Sequence, residues 1–525
     1  MEGHSSVVQD MTRTLKLAAG KSGQRRLLVI SGDKDWCFDQ VGIAIQQLGD
    51  QKVLFVGNTD LSTTHEKVES SRASKLSKWL GREHKNIVFD AFSGFDVDAF
   101  GAISGALSAG GVFILLTPPL GSWFQFPDPE NRRIIVYPQM ESAVSGWYLK
   151  RLSLLIQSSD QLSLWCQDGQ LKMQQQCSVP DSKKKSPPAP YRTFCQAKAV
   201  KAIHKVVRGH RRRPLVMTAD RGRGKSAALG IAAAQLLKEG IEQILITAPT
   251  RKTADIFFQH LRNELGEEYN ECLSRVDFIA PDDLVNSRPE TALLLVDEAA
   301  AIPSPMLEVM LTTYSRIVYA TTVHGYEGTG RGFAIRFKKT LDHQAPHWQE
   351  VRLEAPIRWT VGDSLESFVF SALLLNATPV EIGTGKTVDP GQCQFRELTP
   401  ESLIHDEALL HQLFGLLVLA HYQTRPFDLR QLLDGGNISI FCLFTPDNKL
   451  VAVLLAAQEG EIESTLSEGI WLGQRRVRGH LLPQSLSNHL GLPHAITLSG
   501  MRVIRVAVHP DVQRMGLGLV LLHSF

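Results

Sequence analysis

The segment from Leu215 to Ser226 reads LVMTADRGRGKS, and it decides the fold of the middle of the chain. Residues 213–218 predict a short buried strand, and residues 227–238 carry apolar side chains at helical spacing. The loop between them matches the phosphate-binding pattern GxxxxGK[ST], except that Ala219 replaces the first glycine. A strand, a glycine loop and a helix in this order predict a nucleotide-binding α/β module.

The residues of this loop have the chemistry that ATP requires. Gly222 and Gly224 let backbone N–H groups close around phosphate oxygens, and the N-terminus of the following helix favours anions. Lys225 can reach the terminal phosphates, and the Ser226 hydroxyl can bind Mg²⁺. The predicted ATP-binding residues of the loop are Gly222, Arg223, Gly224, Lys225, Ser226 and Ala227.

A second motif downstream supports this prediction. Residues 292–300 read ALLLVDEAA, an apolar run typical of a central parallel strand that ends in two adjacent carboxylates. Asp297 suits Mg²⁺ binding, and Glu298 suits polarising the attacking water. With the glycine loop, these residues predict ATP hydrolysis with magnesium, in which Lys225, Asp297 and Glu298 are catalytic.

Composition and a proline-rich stretch divide the chain into several blocks. The chain has 525 residues, is 43% hydrophobic and carries a net charge of +2, which is typical of a multidomain globular protein and not of a basic nucleic-acid coat. Apolar strands alternate with helices in residues 1–177 and predict a parallel α/β domain. Residues 178–190 are rich in lysine and proline and predict a linker. Residues 191–387 hold the ATPase module, and residues 393–525 form the last block.

The sequence also bears on the compartment. Seven cysteines are present without a CxxC pair, and no apolar run is long enough for a transmembrane helix. The N-terminal residues lack the apolar centre of a signal peptide. These features predict a cytoplasmic protein without a membrane partner.

The last block ends in another strand, glycine loop and helix. Residues 501–519 read MRVIRVAVHPDVQRMGLGL, in which a strand stops at Pro510 and Gly516 and Gly518 precede an apolar helix start. This Q-x-x-G-x-G pattern resembles the acetyl-CoA motif of GNAT acetyltransferases. The resemblance implies a bulged strand beside the cofactor and an acetyl-CoA site formed by Val506, Ala507, Val508, Gln513, Arg514, Met515, Gly516, Leu517, Gly518 and Leu519.

His509 lies between this strand and the loop. It is a candidate catalytic base that could take a proton from an attacking amine. It could equally be a structural residue before Pro510.

The middle block resembles the superfamily-two helicases. The resemblance is carried by residues 247–250 (TAPT), by residues 297–300 (DEAA) and by residues 320–322 (ATT) after a predicted strand. It implies that Gln196 reads the adenine base and that residues 320–322 couple hydrolysis to movement. An ordinary surface polar residue is the other interpretation of Gln196. Since the block has room for about one and a half motor lobes, we expect local RNA remodelling rather than processive unwinding.

The combination of blocks is similar to the bacterial tRNA(Met) cytidine acetyltransferase family over almost the whole chain. Further matching segments are residues 321–333, 356–359, 420–426 and 475–479. The resemblance implies ATP-dependent acetylation of the wobble cytidine of elongator tRNA(Met) by acetyl-CoA, giving N4-acetylcytidine. It also implies that Arg358 contacts ATP phosphates, that the partner is the anticodon region of elongator tRNA(Met), and that Arg475, Arg476 and Arg478 bind RNA phosphates. From the residues alone, a solvated basic surface is an equally good interpretation of these three arginines. No obligate protein partner is expected.

The end of the chain at Phe525 follows closely on the acetyl-CoA loop. By comparison with the family, we expect a C-terminally truncated GNAT domain with weak or no transfer and with ATP binding retained. An RNA-remodelling ATPase without a working transferase is therefore the alternative hypothesis. A tRNA-binding protein without either activity is disfavoured by the intact Lys225, Asp297 and Glu298, and a GNAT enzyme acting on proteins or small molecules would leave the ATPase block unexplained.

Overall fold

The computed structural model describes residues 2–62, 66–78, 82–175, 187–323, 330–383, 387–420 and 424–525. Most of the predicted linker, residues 178–186, lies outside these ranges, as do residues 324–329 and 421–423 of the family-matching segments. Within the described residues, the helices are too short or too polar for any of them to span a membrane. A cytoplasmic location stays a prediction.

The chain folds into two compact units, and the first unit is discontinuous. It combines residues 1–177 with residues 362–525, and the second unit comprises residues 178–361. The chain returns to the first unit at Gly362, which differs from the boundary expected after residue 387. Asp363 is the physical reason, because it is buried, pairs with the Arg25 guanidinium at 2.8 Å and accepts a hydrogen bond from the Arg25 backbone N–H at 2.7 Å.

The N-terminal part of the first unit is a seven-stranded sheet in the order β3-β2-β4-β5-β1-β6-β7, in which β7 alone is antiparallel to its neighbour. The central strands are buried on both faces because helices cover both, as in parallel sheets generally. The strands are β1 (Arg26–Ser31), β2 (Val53–Val56), β3 (Val68–Ser71), β4 (His84–Asp90), β5 (Leu107–Thr117), β6 (Ser163–Cys166) and β7 (Leu171–Lys172). The helices are α1 (Glu2–Ser22), α2 (Lys34–Gln47), α3 (Val97–Ser104) and α4 (Trp147–Ser158).

The second unit is a six-stranded, entirely parallel sheet in the order β10-β9-β11-β12-β8-β13. Its strands are β8 (Leu215–Ala219), β9 (Ile244–Thr247), β10 (Val276–Phe278), β11 (Leu293–Val296), β12 (Ile317–Thr322) and β13 (Gln349–Leu353). Its helices are α5 (Phe194–Arg208), α6 (Lys225–Lys238), α7 (Asp255–Leu265), α8 (Tyr269–Leu273), α9 (Pro281–Ser287), α10 (Ser304–Thr313) and α11 (Gly330–Gln344). The order brings the ends of β11, β12 and β8 side by side.

The C-terminal part of the first unit is an antiparallel sheet in the order β14-β15-β16-β17. Its strands are β14 (Gln394–Leu398), β15 (Ile438–Phe444), β16 (Leu450–Gly460) and β17 (Ser499–Val508). Its helices are α12 (Ser364–Leu373), α13 (Pro400–His405), α14 (Glu407–Ala420), α15 (Pro426–Asp434), α16 (Ser467–Trp471), α17 (Leu481–Leu490) and α18 (Leu517–Ser524). The sheets of the two units confirm the predicted multidomain α/β fold class.

One hydrophobic cluster joins the two parts of the first unit. It contains Phe100 and Tyr148 from the N-terminal domain, Phe368 from α12, and Ile440 and Ala507 from the C-terminal sheet. Because these residues share one core, the N-terminal domain and the C-terminal domain form a single packed body.

Candidate phosphate-binding sites

The motifs of the second unit meet at the carboxyl edge of its parallel sheet. Strand β8 leads into the glycine loop, the neighbouring β12 ends at Thr322, and β11 ends one residue before Asp297. Since the strands are adjacent and parallel, the side chains that follow them converge. The structure thus brings together Lys225, Glu298 and Thr322 from three segments that are far apart in the sequence.

Thr322 links the lysine of the glycine loop to the second carboxylate. The Lys225 Nζ donates to the Thr322 Oγ1 at 2.7 Å, and the Thr322 hydroxyl lies 2.9 Å and 3.0 Å from the two Glu298 carboxylate oxygens. With the lysine donating to it, the hydroxyl donates its own hydrogen to the carboxylate. Lys225 Nζ and Glu298 Oε1 are also 3.4 Å apart. Thr322 therefore fixes the distance between the two charged groups.

The two carboxylates at the end of β11 have different environments. Burial and then the neighbouring Glu298 carboxylate raise the pKa of Asp297 to about 6, against smaller opposing effects of the Ser226 hydroxyl and the Lys225 charge. Burial also acts to raise the pKa of Glu298, but the Lys225 charge and the Thr322 hydrogen bonds outweigh it, so that this pKa is lowered. Glu298 is thus held as a carboxylate between a cation and a hydroxyl donor.

Asp297 has a polar atom that fits a cation. Its side chain is fully buried, and among the described residues its Oδ2 atom has no hydrogen-bond partner. Burial of a carboxylate oxygen without a partner is unfavourable unless a ligand satisfies it. The Ser226 hydroxyl acts on the same carboxyl group, and oxygen donors of these two kinds are those that Mg²⁺ prefers.

The glycine loop is closely packed against residues 357–359. The Ile357 N–H donates to the Gly222 carbonyl at 3.0 Å, and a Cβ atom at Gly224 would lie 2.1 Å from Ile357 Cδ1. Gly222 and Gly224 have φ values of +78° and +81°, which favour glycine. The same segment carries Arg358, so the structure brings that predicted residue into the neighbourhood of the loop.

Gln196 is placed beside the same loop from α5. It is 1% exposed, and its Nε2 atom would lie 3.3 Å from a Cβ at Gly224. Its Oε1 atom accepts from the Arg192 N–H at 2.8 Å. The side chain is therefore a fixed, buried group at the glycine loop and not an ordinary surface residue.

The Q-x-x-G-x-G segment connects β17 to α18 in the first unit. Gly516 has φ +85° and precedes α18, and the Gln513 amide donates to the Val508 carbonyl at 3.2 Å. The pairing with β16 slips between Arg505 and Val503, which leaves Ile504 as an extra residue in β17. This irregularity is a β-bulge in the strand for which the GNAT resemblance implies one. Among the described strands, β17 pairs with β16 alone, so its other edge is free.

The geometry around His509 favours the structural interpretation of this residue over the catalytic one. Its side chain is 5% exposed; Nδ1 accepts from the Asp511 N–H at 3.2 Å, and Nε2 lies 2.7 Å from the Val380 carbonyl oxygen. These partners fit a neutral ring that carries its hydrogen on Nε2. Both ring nitrogens are engaged, so neither is directed at a reacting amine in this arrangement.

The predicted RNA-binding arginines lie in the connection from α16 to α17. Arg475, Arg476 and Arg478 are exposed, and Val477 between them is buried. The Arg478 guanidinium donates to the Arg132 carbonyl of the N-terminal domain. No carboxylate pairs with Arg475 or Arg476 among the residues that the structure describes.

Sequence reasoning missed the supports of this arginine segment. Gln484 on α17, Glu459 on β16 and His480 anchor it through hydrogen bonds to backbone groups. The signal that could have found the surface is the charge pattern, since residues 469–510 contain five arginines and no aspartate or glutamate.

Comparisons with known proteins match each part of the chain. Residues 1–167 match the family model described as tRNA(Met) cytidine acetyltransferase TmcA, N-terminal. Residues 216–376 match RNA cytidine acetyltransferase NAT10/TcmA, helicase domain, and residues 412–525 match GNAT acetyltransferase 2. The matches agree with the order of the predicted blocks.

Similar curated proteins extend along nearly the whole chain. A protein of Nitrosococcus halophilus named tRNA(Met) cytidine acetyltransferase TmcA is 45% identical over 98% of this chain and 70% of its own length. Proteins of the same name from Vibrio cholerae and Haloferax volcanii are each 34% identical over 99% of this chain, and the alignments cover 69% and 72% of their lengths.

Proposed function

The chain belongs to the tRNA(Met) cytidine acetyltransferase TmcA family, and from this we propose that it acetylates the wobble cytidine of elongator tRNA(Met) in a reaction that uses acetyl-CoA and ATP. The product is N4-acetylcytidine. The observation that carries the proposal is the presence, in one chain, of two different strand–glycine loop–helix sites, one beside two carboxylates and one on a bulged strand. This combination favours the acetyltransferase over the alternative of an RNA-remodelling ATPase alone.

The ATP site works through a small set of side chains in this proposal. Backbone N–H groups at Gly222 and Gly224 receive the phosphates, and Lys225 neutralises charge on the terminal phosphates. Glu298 orients and polarises the attacking water, for which its lowered pKa keeps it ionised. Gln196 and Arg358 complete the site from the segments that pack around the glycine loop.

Magnesium is proposed to accompany ATP, with Ser226 and Asp297 as the residues that hold it. The unsatisfied, buried Oδ2 of Asp297 supports this assignment. The ion would supply charge neutralisation at the phosphates. Because the pKa of Asp297 is raised to about 6, its carboxyl group is mainly protonated below that pH, and a cation that binds there must displace this proton.

The acetyl-CoA site is proposed at the loop of residues 513–519. The N–H groups at the start of α18 bind the pyrophosphate, and the free edge of β17 at Val506 to Val508 lies along the pantetheine arm. The exocyclic amine of the cytidine then attacks the thioester carbonyl and forms the C–N bond, and the C–S bond breaks. The proton lost from the amine is taken up by the departing sulfur, so that coenzyme A leaves as the thiol. His509 is not proposed as the base, because both its ring nitrogens are engaged.

The tRNA partner is proposed to contact Arg475, Arg476 and Arg478, whose exposed guanidinium groups suit phosphate oxygens. Recognition of the anticodon region is the more specific part of the proposal. The cytidine amine is conjugated with its ring and nucleophilically weak, and the base must leave its stack to react. An ATP-driven rearrangement of the RNA is physically suited to that step.

The test is transfer of labelled acetyl from acetyl-CoA to elongator tRNA(Met), with and without ATP, followed by nucleoside analysis. We expect ATP-dependent label on the anticodon cytidine in the wild type, and loss of this label in Lys225→Ala. Lys238→Ala, at the other end of α6, is the matched control. ATP hydrolysis without any acetylated cytidine would overturn the proposal and favour the ATPase alternative.

A further inference from the structure

The arginine platform, defined as residues 469–484, is strongly asymmetric in charge. The platform itself contains three arginines, Arg475, Arg476 and Arg478, and no acidic residue. The next two arginines along the chain, Arg502 and Arg505, lie on β17 and pair with carboxylates. The nearest acids in sequence, Glu468 and Asp511, lie outside the platform. A local excess of arginine in a chain of net charge +2 marks a surface for a polyanion.

Trp471 is an exposed aromatic residue on this platform. Its side chain is 46% exposed, and no ring or cation contacts its indole among the residues described in the structure. The N–H groups of Gln474 and Arg475 both donate to the Gly469 carbonyl, at 2.9 Å and 3.0 Å. These two hydrogen bonds turn the chain back on itself, so that Arg475 lies beside the helical turn that carries Trp471. A Cβ atom at Gly469 would lie 3.6 Å from the Arg475 Cβ.

The backbone of the platform is held in place before any ligand binds. The Gln484 side chain accepts from the Val477 N–H at 2.9 Å and donates to the Val477 carbonyl at 2.7 Å. The His480 ring accepts from the Gly460 N–H at 2.9 Å through Nδ1, and its Nε2 lies 2.6 Å from the Tyr137 carbonyl oxygen. Fixing the backbone in advance lowers the entropy lost when the exposed arginines bind.

The platform is also tied to the sheet that carries the proposed acetyl-CoA site. The buried Glu459 of β16 accepts from the Leu482 N–H at 2.7 Å and from Arg502 of β17 at 2.6 Å. A ligand on the platform is therefore fixed relative to β17, along which the acetyl donor is proposed to lie.

From these observations we propose that Trp471 stacks on an unpaired base of the tRNA while Arg475 and Arg476 hold the adjoining phosphates. An indole face with flanking cations is the arrangement that binds single-stranded nucleic acid without reading its sequence. The inference rests on the proposed function, since it assumes that RNA is the substrate. It adds a base-binding residue and assigns the N-terminal domain, through Tyr137, a positioning role.

The test is binding of an elongator tRNA(Met) transcript to the full chain, measured by fluorescence anisotropy without ATP or acetyl-CoA over a series of salt concentrations. We expect Trp471→Ala to weaken binding about 5- to 150-fold with an unchanged salt slope. Arg476→Gln should reduce the slope of log Kd against log salt by about 0.7. Trp471→Phe should retain most of the affinity, because a phenyl ring can still stack.

Leu490→Ala is the control, because Leu490 is an apolar residue that is 67% exposed on α17. Equal tRNA affinity in Trp471→Ala and the wild type would overturn the inference and leave the proposed function standing. A Trp471→Ala variant that changes self-association in sedimentation, with tRNA affinity unchanged, would instead assign the surface to a second copy. A wild-type chain that binds tRNA no better than an RNA duplex of equal length would overturn both.

Discussion

Thr322 is the residue whose replacement tests the ATP site most directly. In Thr322→Val the side chain keeps its shape but loses the hydroxyl that connects Lys225 to Glu298. A hydrogen bond to a charged group contributes about 1.5–3 kcal/mol. The variant loses two such bonds, but Lys225 and Glu298 are already 3.4 Å apart and can replace one of them by direct contact. A net loss of one bond corresponds to about a 10- to 150-fold fall in kcat.

The assay is phosphate release at saturating ATP, magnesium and tRNA. Because Thr322 positions Lys225 and Glu298 and is not itself proposed to bind ATP, we expect the variant to lose activity mainly in kcat, with little change in KM for ATP. Thr322→Ser keeps the hydroxyl and should retain most of the activity. Thr312→Val removes the hydroxyl of an exposed residue on α10 and controls for the Thr-to-Val change itself.

Two results would refute this reasoning. A Thr322→Val variant that hydrolyses ATP at the wild-type rate would show that the link through the hydroxyl is unimportant. A Thr322→Ser variant as slow as Thr322→Val would show that the backbone or the methyl group, and not the hydroxyl, is what the site requires.

Three further predictions follow from close packing and burial. Gly224→Ala should abolish ATP binding in equilibrium dialysis, because its Cβ would lie 2.1 Å from Ile357. Gly240→Ala is the control for the positive φ alone: Gly240 has a φ of +92° and no neighbour within 4 Å, so this variant should bind ATP normally. Gly518→Ala should weaken acetyl-CoA binding in calorimetry without lowering the melting temperature, since its Cβ meets only an ordinary contact at 3.5 Å. Arg430→Met should destabilise the first unit by about 3–5 kcal/mol, because it leaves the buried carboxylates of Asp128 and Asp434 without a cation. The loss should be measurable as faster amide exchange in β1. Arg132→Met, which removes an exposed ion pair with Glu141, should have little effect.

The local structure of the two glycine-loop segments could be predicted from sequence because their signals are local. A strand, a glycine loop and a helix occupy consecutive residues, so the pattern around Lys225 and the pattern around Gly516 each specify their own geometry. The position of Asp297 and Glu298 at the end of a buried strand was also predictable, since the strand before them is an unbroken apolar run. The confirmed α/β fold class follows from the same alternation of strands and helices.

The features that sequence reasoning could not reach depend on contacts between distant residues. The return to the first unit at Gly362 depends on Arg25 and Asp363, which are 338 residues apart. The engagement of His509 depends on the carbonyl of Val380, 129 residues away. Neither contact leaves a local pattern in the sequence. The glycine and proline residues therefore predicted a domain boundary after residue 387, and the sequence left His509 with two interpretations.

The buried charges of the first unit explain how the N-terminal domain is held against the C-terminal domain. Arg430 of α15 pairs with Asp128 of the N-terminal domain at 3.0 Å, and both side chains are almost fully buried. Such pairs add little stability over apolar packing, but an alternative docking would bury unpaired charges. Together with Arg25 and Asp363, they specify one arrangement of the two domains. That arrangement places Tyr137 against His480, so the N-terminal domain fixes the platform on which we propose that the tRNA is held.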